Sequence, residues 1–78
     1  MADGTIHEAF RFRRGDALRI YNLHVVAGGV ELWRITEMPD LPAETIKETD
    51  LTGPDEAARF LEEVERALTA GGWRRAGR

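Results

Sequence analysis

Alternation of apolar and polar residues predicts two β-strands in the first third of the chain. From residue 6 to residue 14 the large apolar side chains fall on even positions, the period of a half-buried strand. Gly15-Asp16 interrupts this pattern and predicts a two-residue hairpin loop, which places Phe10 opposite Tyr21. The buried face predicted for these two strands consists of Ile6, Phe10, Phe12, Tyr21, Leu23 and Val25.

A third strand is predicted from residue 30 to residue 37, after the glycine-containing loop at residues 27 to 29. A three-residue loop with a bulge would place Trp33 and Ile35 on the same buried face as Tyr21. A two-residue loop would place Arg34 there instead, and an unpaired buried guanidinium is costly to desolvate. We therefore predict the three-residue loop.

A fourth strand is expected over residues 44 to 49, where Thr45, Ile46 and Thr49 are β-branched. Pro39 and Pro42 come before it and predict an irregular segment, since proline lacks the N–H group that a central strand donates. The alternating pattern of this fourth strand is weak. The sheet is thus predicted to have three or four strands.

An amphipathic helix is predicted after Thr52-Gly53-Pro54, where a capping residue and a first-turn proline are followed by acids. Gly71-Gly72 should end it, with Trp73 folding back onto the core. The apolar stripe of the helix is Ala57, Phe60, Leu61, Val64 and Leu68. The expected fold class is α+β: an antiparallel β-meander with one C-terminal helix on one face, in a single domain over residues 1–78 whose ends, 1–5 and 74–78, are flexible.

One helix covers one face of such a sheet, so the second face is a candidate interface. It combines apolar residues with arginine, a composition typical of protein interfaces, and a homodimer is the simplest assembly. The alternative is that loops of the same chain fold over it. The residues predicted for this interface are Leu18, Ile20, Val26, Val30, Leu32, Arg11 and Arg34.

Charge is segregated along the chain, although the net charge is only −3. Residues 37 to 65 hold ten acids against Lys47 and Arg59, a local balance of −8, whereas residues 66 to 78 sum to +4. An acidic surface of this kind could bind a basic protein partner, as an inhibitor that mimics nucleic acid would, or could simply be a solvated face. The candidate residues are Asp55, Glu56, Glu62, Glu63 and Glu65.

The residue types argue against an enzyme. The chain has no cysteine and no serine, so the commonest nucleophiles are missing, and we predict no catalytic residue and no cofactor. His7 and His24 are predicted to lie directly opposite each other, but two ligands are fewer than a zinc site needs, so no metal is expected either. No apolar run approaches the roughly 20 residues that span a bilayer, and no basic segment precedes one, which predicts a cytoplasmic location.

Residues 56 to 73, with Ala70-Gly71-Gly72-Trp73 at their end, resemble the end of a WGR domain, a nucleic-acid-associated module of sheet and helix. The chain has Trp33-Arg34-Ile35 and no Trp-Gly-Arg triplet. The segment from Glu31 to Ala43 is also similar to MbtH-like proteins, which bind adenylation domains. The WGR resemblance implies an alternative function, nucleic-acid binding, for which the sequence offers Arg11, Arg13 and Arg34.

Overall fold

The computed structural model describes residues 5 to 77 and shows an antiparallel sheet with one helix on one face. This confirms the predicted α+β class, with the helix inserted before a short fifth strand. The sheet order is β4-β3-β2-β1-β5. The elements are β1 (Thr5–Arg14), β2 (Ala17–Val26), β3 (Gly29–Met38), β4 (Leu41–Leu51), α1 (Pro54–Ala70) and β5 (Arg74–Arg75).

The β1–β2 hairpin has the predicted loop, and the half nearest the loop, from Phe10 and Tyr21 onward, has the predicted register. Gly15 adopts φ +60°, and Phe10 lies opposite Tyr21. A bulge between Glu8 and Phe10 then shifts the pairing by one residue. Ile6 lies opposite His24 and not opposite Val25, so its predicted burial with Phe10 is wrong: Ile6 is 56% exposed.

The predicted register of β3 is also wrong by one residue. The β2–β3 loop has two residues, because Gly28 takes the left-handed conformation at φ +88° and Val26 already pairs with Gly29. Gly29 has a different role: a Cβ at this position would lie against the carbonyl oxygen of Leu51 on β4. Every side chain of β3 therefore points to the face opposite the predicted one.

On the helix side of the sheet, Arg34 has a partner on β4, a contact that the prediction of the β3 register did not consider. Arg34 lies opposite Tyr21, and its Nη1 is 2.9 Å from Glu48 Oε2. Glu48 is the extra residue of a bulge, since Leu32 pairs with Thr49 and Trp33 with Lys47. The guanidinium has a carboxylate partner, so the desolvation argument against this register does not apply.

The core lies between α1 and the face of the sheet that carries Phe10, Phe12, Tyr21 and Leu32. Phe12 and Leu32 are its most deeply buried large side chains. The predicted helical stripe is confirmed, with Ala57 and Leu68 buried and the other three residues packed against the cluster. The cluster comprises Phe10, Phe12, Tyr21, Leu32, Leu51, Ala57, Leu68 and Trp73.

Helix α1 starts and ends at the predicted signals. Gly53 is the N-cap and Pro54 the first helical residue, while the Glu56 carboxylate accepts hydrogen bonds from the Thr52 N–H at 2.8 Å and the Thr52 hydroxyl at 2.9 Å. These bonds lower the pKa of Glu56, the backbone bond most. Within residues 5 to 77, no helix is long and apolar enough to cross a membrane.

The C-terminal end of α1 is a Schellman motif that returns the chain to the sheet. Gly72, at φ +91°, and Trp73 donate to the carbonyls of Thr69 and Leu68 at 3.1 and 2.9 Å. Trp73 is buried, as predicted. The residues after it form β5 against β1, and the Ala76 N–H donates to the Arg11 carbonyl at 2.9 Å, where we expected a flexible tail. The rest of the flexibility prediction concerns residues 1–4 and 78, which lie outside the described residues, and Thr5, which begins β1.

Candidate functional site

The face of the sheet opposite α1, here called the open face, holds most of the predicted interface. Leu18, Ile20, Val26 and Arg11 lie on it. The predicted members Val30, Leu32 and Arg34 do not, because the two-residue loop turns them toward the helix. Their places are taken by side chains that the predicted register had assigned to the core. These are Trp33 and Ile35, with Ile6 added by the bulge in β1.

The apolar centre of the open face lies on the two central strands, β2 and β3. Ile20, at 9% exposed, pairs directly with Ile35, and Leu18 follows on β2. The Trp33 indole stacks on the His24 ring at 5.2 Å, and its Nε1 donates to Glu31 Oε1 at 2.9 Å. These contacts hold the indole in one orientation on the surface, which suits a contact surface since little side-chain entropy is then lost on binding.

Charged residues of opposite sign flank this apolar centre. On β1, Arg11 forms a bidentate pair with Glu8 at 2.7 and 2.8 Å, and this bond raises the pKa of Arg11. On β4, Lys47 donates a hydrogen bond to Asp50 at 3.0 Å, and this bond raises the pKa of Lys47. Lys47 also lies 3.8 Å from Glu31. Beyond these pairs the β1 side carries Arg13 in excess, and the β3–β4 side carries an excess of acid, Glu37 included.

The five acids predicted to bind a basic partner lie on α1, but they do not form a uniform acidic surface. Glu56 accepts hydrogen bonds from Thr52, just before the helix, and Glu65 binds Arg75 at 3.2 Å. Asp55, Glu62 and Glu63 are exposed. Arg59 and Arg66 occur among them at helical spacing and reduce the local field. The basic partner stays a prediction.

The predicted cross-strand histidine pair is wrong, because the bulge in β1 shifts His7 opposite Leu23 and places Ile6 opposite His24. In the described part of the chain, no group of three or more metal-binding side chains is close enough to hold an ion. The two histidines therefore lie on opposite faces of the sheet, and the His24 ring stacks on the Trp33 indole.

The arginines proposed for nucleic acid are likewise separated: Arg11 and Arg13 are on the open face, and Arg34 is on the helix side. A different basic cluster, here called the basic edge, forms where β5 pairs with β1. Arg13 lies directly opposite Arg74, and within residues 5 to 77 neither forms an ion pair with an acidic residue. The basic edge consists of Arg13, Arg14, Arg74 and Arg75, around a surface recess of about 490 Å³. The basic edge was not predicted, because residues 74–78 were expected to be flexible and they instead include β5.

Compared with known proteins, the chain matches no protein family, no curated protein and no solved structure. The similarities to WGR domains and MbtH-like proteins therefore assign no family.

Proposed function

We propose that this protein is a small, non-enzymatic protein-interaction module that self-associates through its open face. One observation carries this proposal: the open face has its apolar residues on the two central strands, a net positive charge on β1 and a net negative charge on the charged residues of β3 and β4. Large apolar groups at the centre and charge at the rim are the anatomy of a protein interface. A cytoplasmic location belongs to the same proposal, supported by the lack of cysteine.

The charge pattern favours a second copy of this chain as the partner. In an isologous dimer whose two-fold axis runs along the strands, β1 of one copy lies over β4 of the other, and β2 lies over β3. Ile20 and Ile35 then meet at the axis, and Arg13 approaches the acidic side that carries Glu37. A two-fold axis across the strands would instead place β1 over β1 and repel.

The area of the open face is sufficient for such a dimer. The three strands β1 to β3 each have ten residues and β4 has eleven. With a rise of about 3.3 Å per residue and a strand spacing of about 4.8 Å, four strands cover about 600 Å² per copy. Two copies would bury about 1,200 Å², the lower limit of the range for stable, specific interfaces.

The test is the solution mass, measured by light scattering over a series of protein concentrations. We expect a dimer of twice 8.8 kDa that the substitution Ile35→Lys converts to a monomer. Ala58→Lys adds the same charge on the exposed side of α1 and is the matched control, which should stay dimeric. A monomeric wild-type protein, or a dimeric Ile35→Lys protein with a native circular dichroism spectrum, would contradict the proposal.

A charge exchange tests the orientation of the dimer. Arg13→Glu and Glu37→Arg should each weaken the dimer, because each places like charges across the axis. The double variant should restore it. Equal weakening by the double variant would exclude this orientation and leave a dimer of another geometry.

A second candidate function, nucleic-acid binding at the basic edge, is favoured by the Arg13–Arg74 pair. Like charges directly opposite on a sheet repel, and a phosphate between them would remove the repulsion. The test is titration of a single-stranded oligonucleotide at low salt. Arg74→Gln should weaken binding and reduce its salt dependence, and Arg66→Gln on α1 is the control. Salt-independent or absent binding eliminates this candidate.

The predicted basic partner of the acidic residues on α1 is part of the same interaction hypothesis. Its test is charge reversal at Glu62 and Glu63, which should abolish capture of that partner and leave the dimer mass unchanged. Retention of the partner by the reversed variant would exclude this surface.

A further inference from the structure

A groove on the helix side of the sheet forms a second candidate binding site, on the face opposite the proposed dimer interface. It runs between the C-terminal half of α1 and strands β2 to β4 and has a volume of about 280 Å³. Phe60 and Val64 line its helix wall, and Tyr21 and Trp73 line the other side. The groove is therefore mainly apolar, with its polar groups confined to a few side chains.

Among the described residues, two guanidinium groups and a single carboxylate line this apolar groove. Arg34 has Glu48 as its partner, at 2.9 Å. Arg19 lies over the Trp73 ring, with its Cζ 4.5 Å from the ring centre, and forms no ion pair within residues 5 to 77. The Nε–H groups of both arginines are buried and find no acceptor in the same range. Buried donors without acceptors are rare, because each loses its hydrogen bonds to water.

We propose that this groove binds a carboxylate that carries an apolar group, either a small carboxylic acid or the C-terminal carboxylate of a peptide. A guanidinium presents parallel N–H donors that match the two oxygens of a carboxylate. The ligand carboxylate would accept from the terminal N–H groups of Arg19 and Arg34, whose side chains line the groove, and its apolar part would lie against Phe60 and Trp73. Such a pocket, largely apolar with a few convergent polar groups, is typical of small-ligand sites.

In this arrangement the carboxylate of Glu48 competes with the ligand carboxylate for Arg34. The bulge in β4 places it on Arg34, where its carboxylate occupies one side of the guanidinium. It shows how a carboxylate binds in the groove, and its negative charge opposes a second one nearby. Neutralising Glu48 should therefore strengthen binding, while removing the charge of Arg19 should weaken it. A purely structural role for the two arginines would not produce opposite effects.

Titration with hexanoate, followed by the NMR shift of the Trp73 indole N–H, tests the proposal. We expect Arg19→Gln to weaken binding by about tenfold, the effect of losing one charge-assisted hydrogen bond. Glu48→Gln should strengthen it. Arg66→Gln, on the exposed side of α1, should leave it unchanged, and hexanol should not bind. The two sources of the carboxylate are distinguished by a short acetylated peptide ending in leucine, compared with its C-terminal amide: tighter binding of the acid form of the peptide than of hexanoate indicates a peptide ligand.

The proposal is overturned if hexanol binds as well as hexanoate, or if the Arg19→Gln protein binds hexanoate with unchanged affinity. It is also overturned if no probe shifts the Trp73 indole signal at about 10 mM, a concentration that detects even millimolar affinity. Equal binding of inorganic phosphate and hexanoate would also overturn it, since the apolar walls would then contribute nothing. None of these outcomes depends on the dimer, because the groove and the open face lie on opposite sides of the sheet.

Discussion

Truncating Leu32 and Ile35 to alanine tests the register of β3 directly, because the two side chains lie on opposite faces of the same strand. Leu32 is 0% exposed in the core, whereas Ile35 is half-buried on the open face. The register predicted from the sequence reverses these environments. The two substitutions therefore measure which side of β3 carries the core.

The magnitudes follow from burial. Removing a fully buried leucine side chain costs about 3 kcal/mol, from the lost transfer free energy and the cavity that remains. Burying an isoleucine side chain fully contributes about 1.5 to 3 kcal/mol, so truncating the half-buried Ile35 should cost about 1 kcal/mol. At about 4 to 8 °C per kcal/mol for a domain of this size, the thermal midpoint should fall by about 12 to 24 °C for Leu32→Ala. The corresponding decrease for Ile35→Ala is about 4 to 8 °C.

The assay is urea unfolding followed by circular dichroism, at a protein concentration where light scattering shows monomer. This condition matters because Ile35 is part of the proposed dimer interface, and dissociation would otherwise add to its cost. The slope of the free energy of unfolding against urea concentration should be the same in both variants, so that a shifted midpoint reports a change in stability. If Ile35→Ala costs as much as Leu32→Ala, the register described here is wrong.

Three further predictions concern the helix ends and the basic edge. Gly72→Ala should destabilise the protein by about 1 to 2 kcal/mol, because alanine is strained in the left-handed conformation, while the control Gly71→Ala, at φ −86°, should cost much less in the same urea assay. Hydrogen bonds from Thr52 lower the pKa of Glu56, so the stabilisation that they provide is present above the ordinary pKa of 4.5 and is lost as the pH falls through and below it. The Glu56→Gln protein should therefore lose less stability in acid than the wild type. An equal loss in the two proteins would refute this role of Glu56. Arg74→Gln should raise the thermal midpoint at low salt, because it relieves the repulsion between Arg74 and Arg13. This difference from the wild type should vanish near 1 M salt, where the Debye length is about 3 Å. A difference that persists at that salt would not be electrostatic.

The helix could be predicted because its determinants are local. Pro54 at the first position, the apolar stripe from Ala57 to Leu68 and the Gly71-Gly72 end all lie within a short segment, and each independently indicates the same element. The half of the β1–β2 hairpin nearest the loop was predictable for the same reason, since its two-residue loop sets the register. Local signals that agree define an element well.

The register of β3 could not be predicted because it depends on a residue of another strand. Arg34 was excluded from the helix side as an unpaired charge, yet Glu48 reaches it from a bulge in a strand with a weak pattern. The bulge in β1 did leave a signal: Glu8, a charged residue, stood on the face predicted to be buried. This error in β3 is what removed Trp33 and Ile35 from the predicted interface and hid the groove beside Arg34.

The position of the fifth strand predicts an order of folding. The β1–β2, β2–β3 and β3–β4 hairpins each join neighbouring segments and can form from local contacts. Strand β5 instead joins Arg75 to Phe12 near the other end of the chain, and it is held there by the burial of Trp73. We expect it to form last, after α1 has docked, because the closure of so long a loop is offset only once the core is in place. An intermediate with the four-stranded sheet formed would expose the edge of β1, so this protein would be most prone to aggregate before its final two-residue strand has paired.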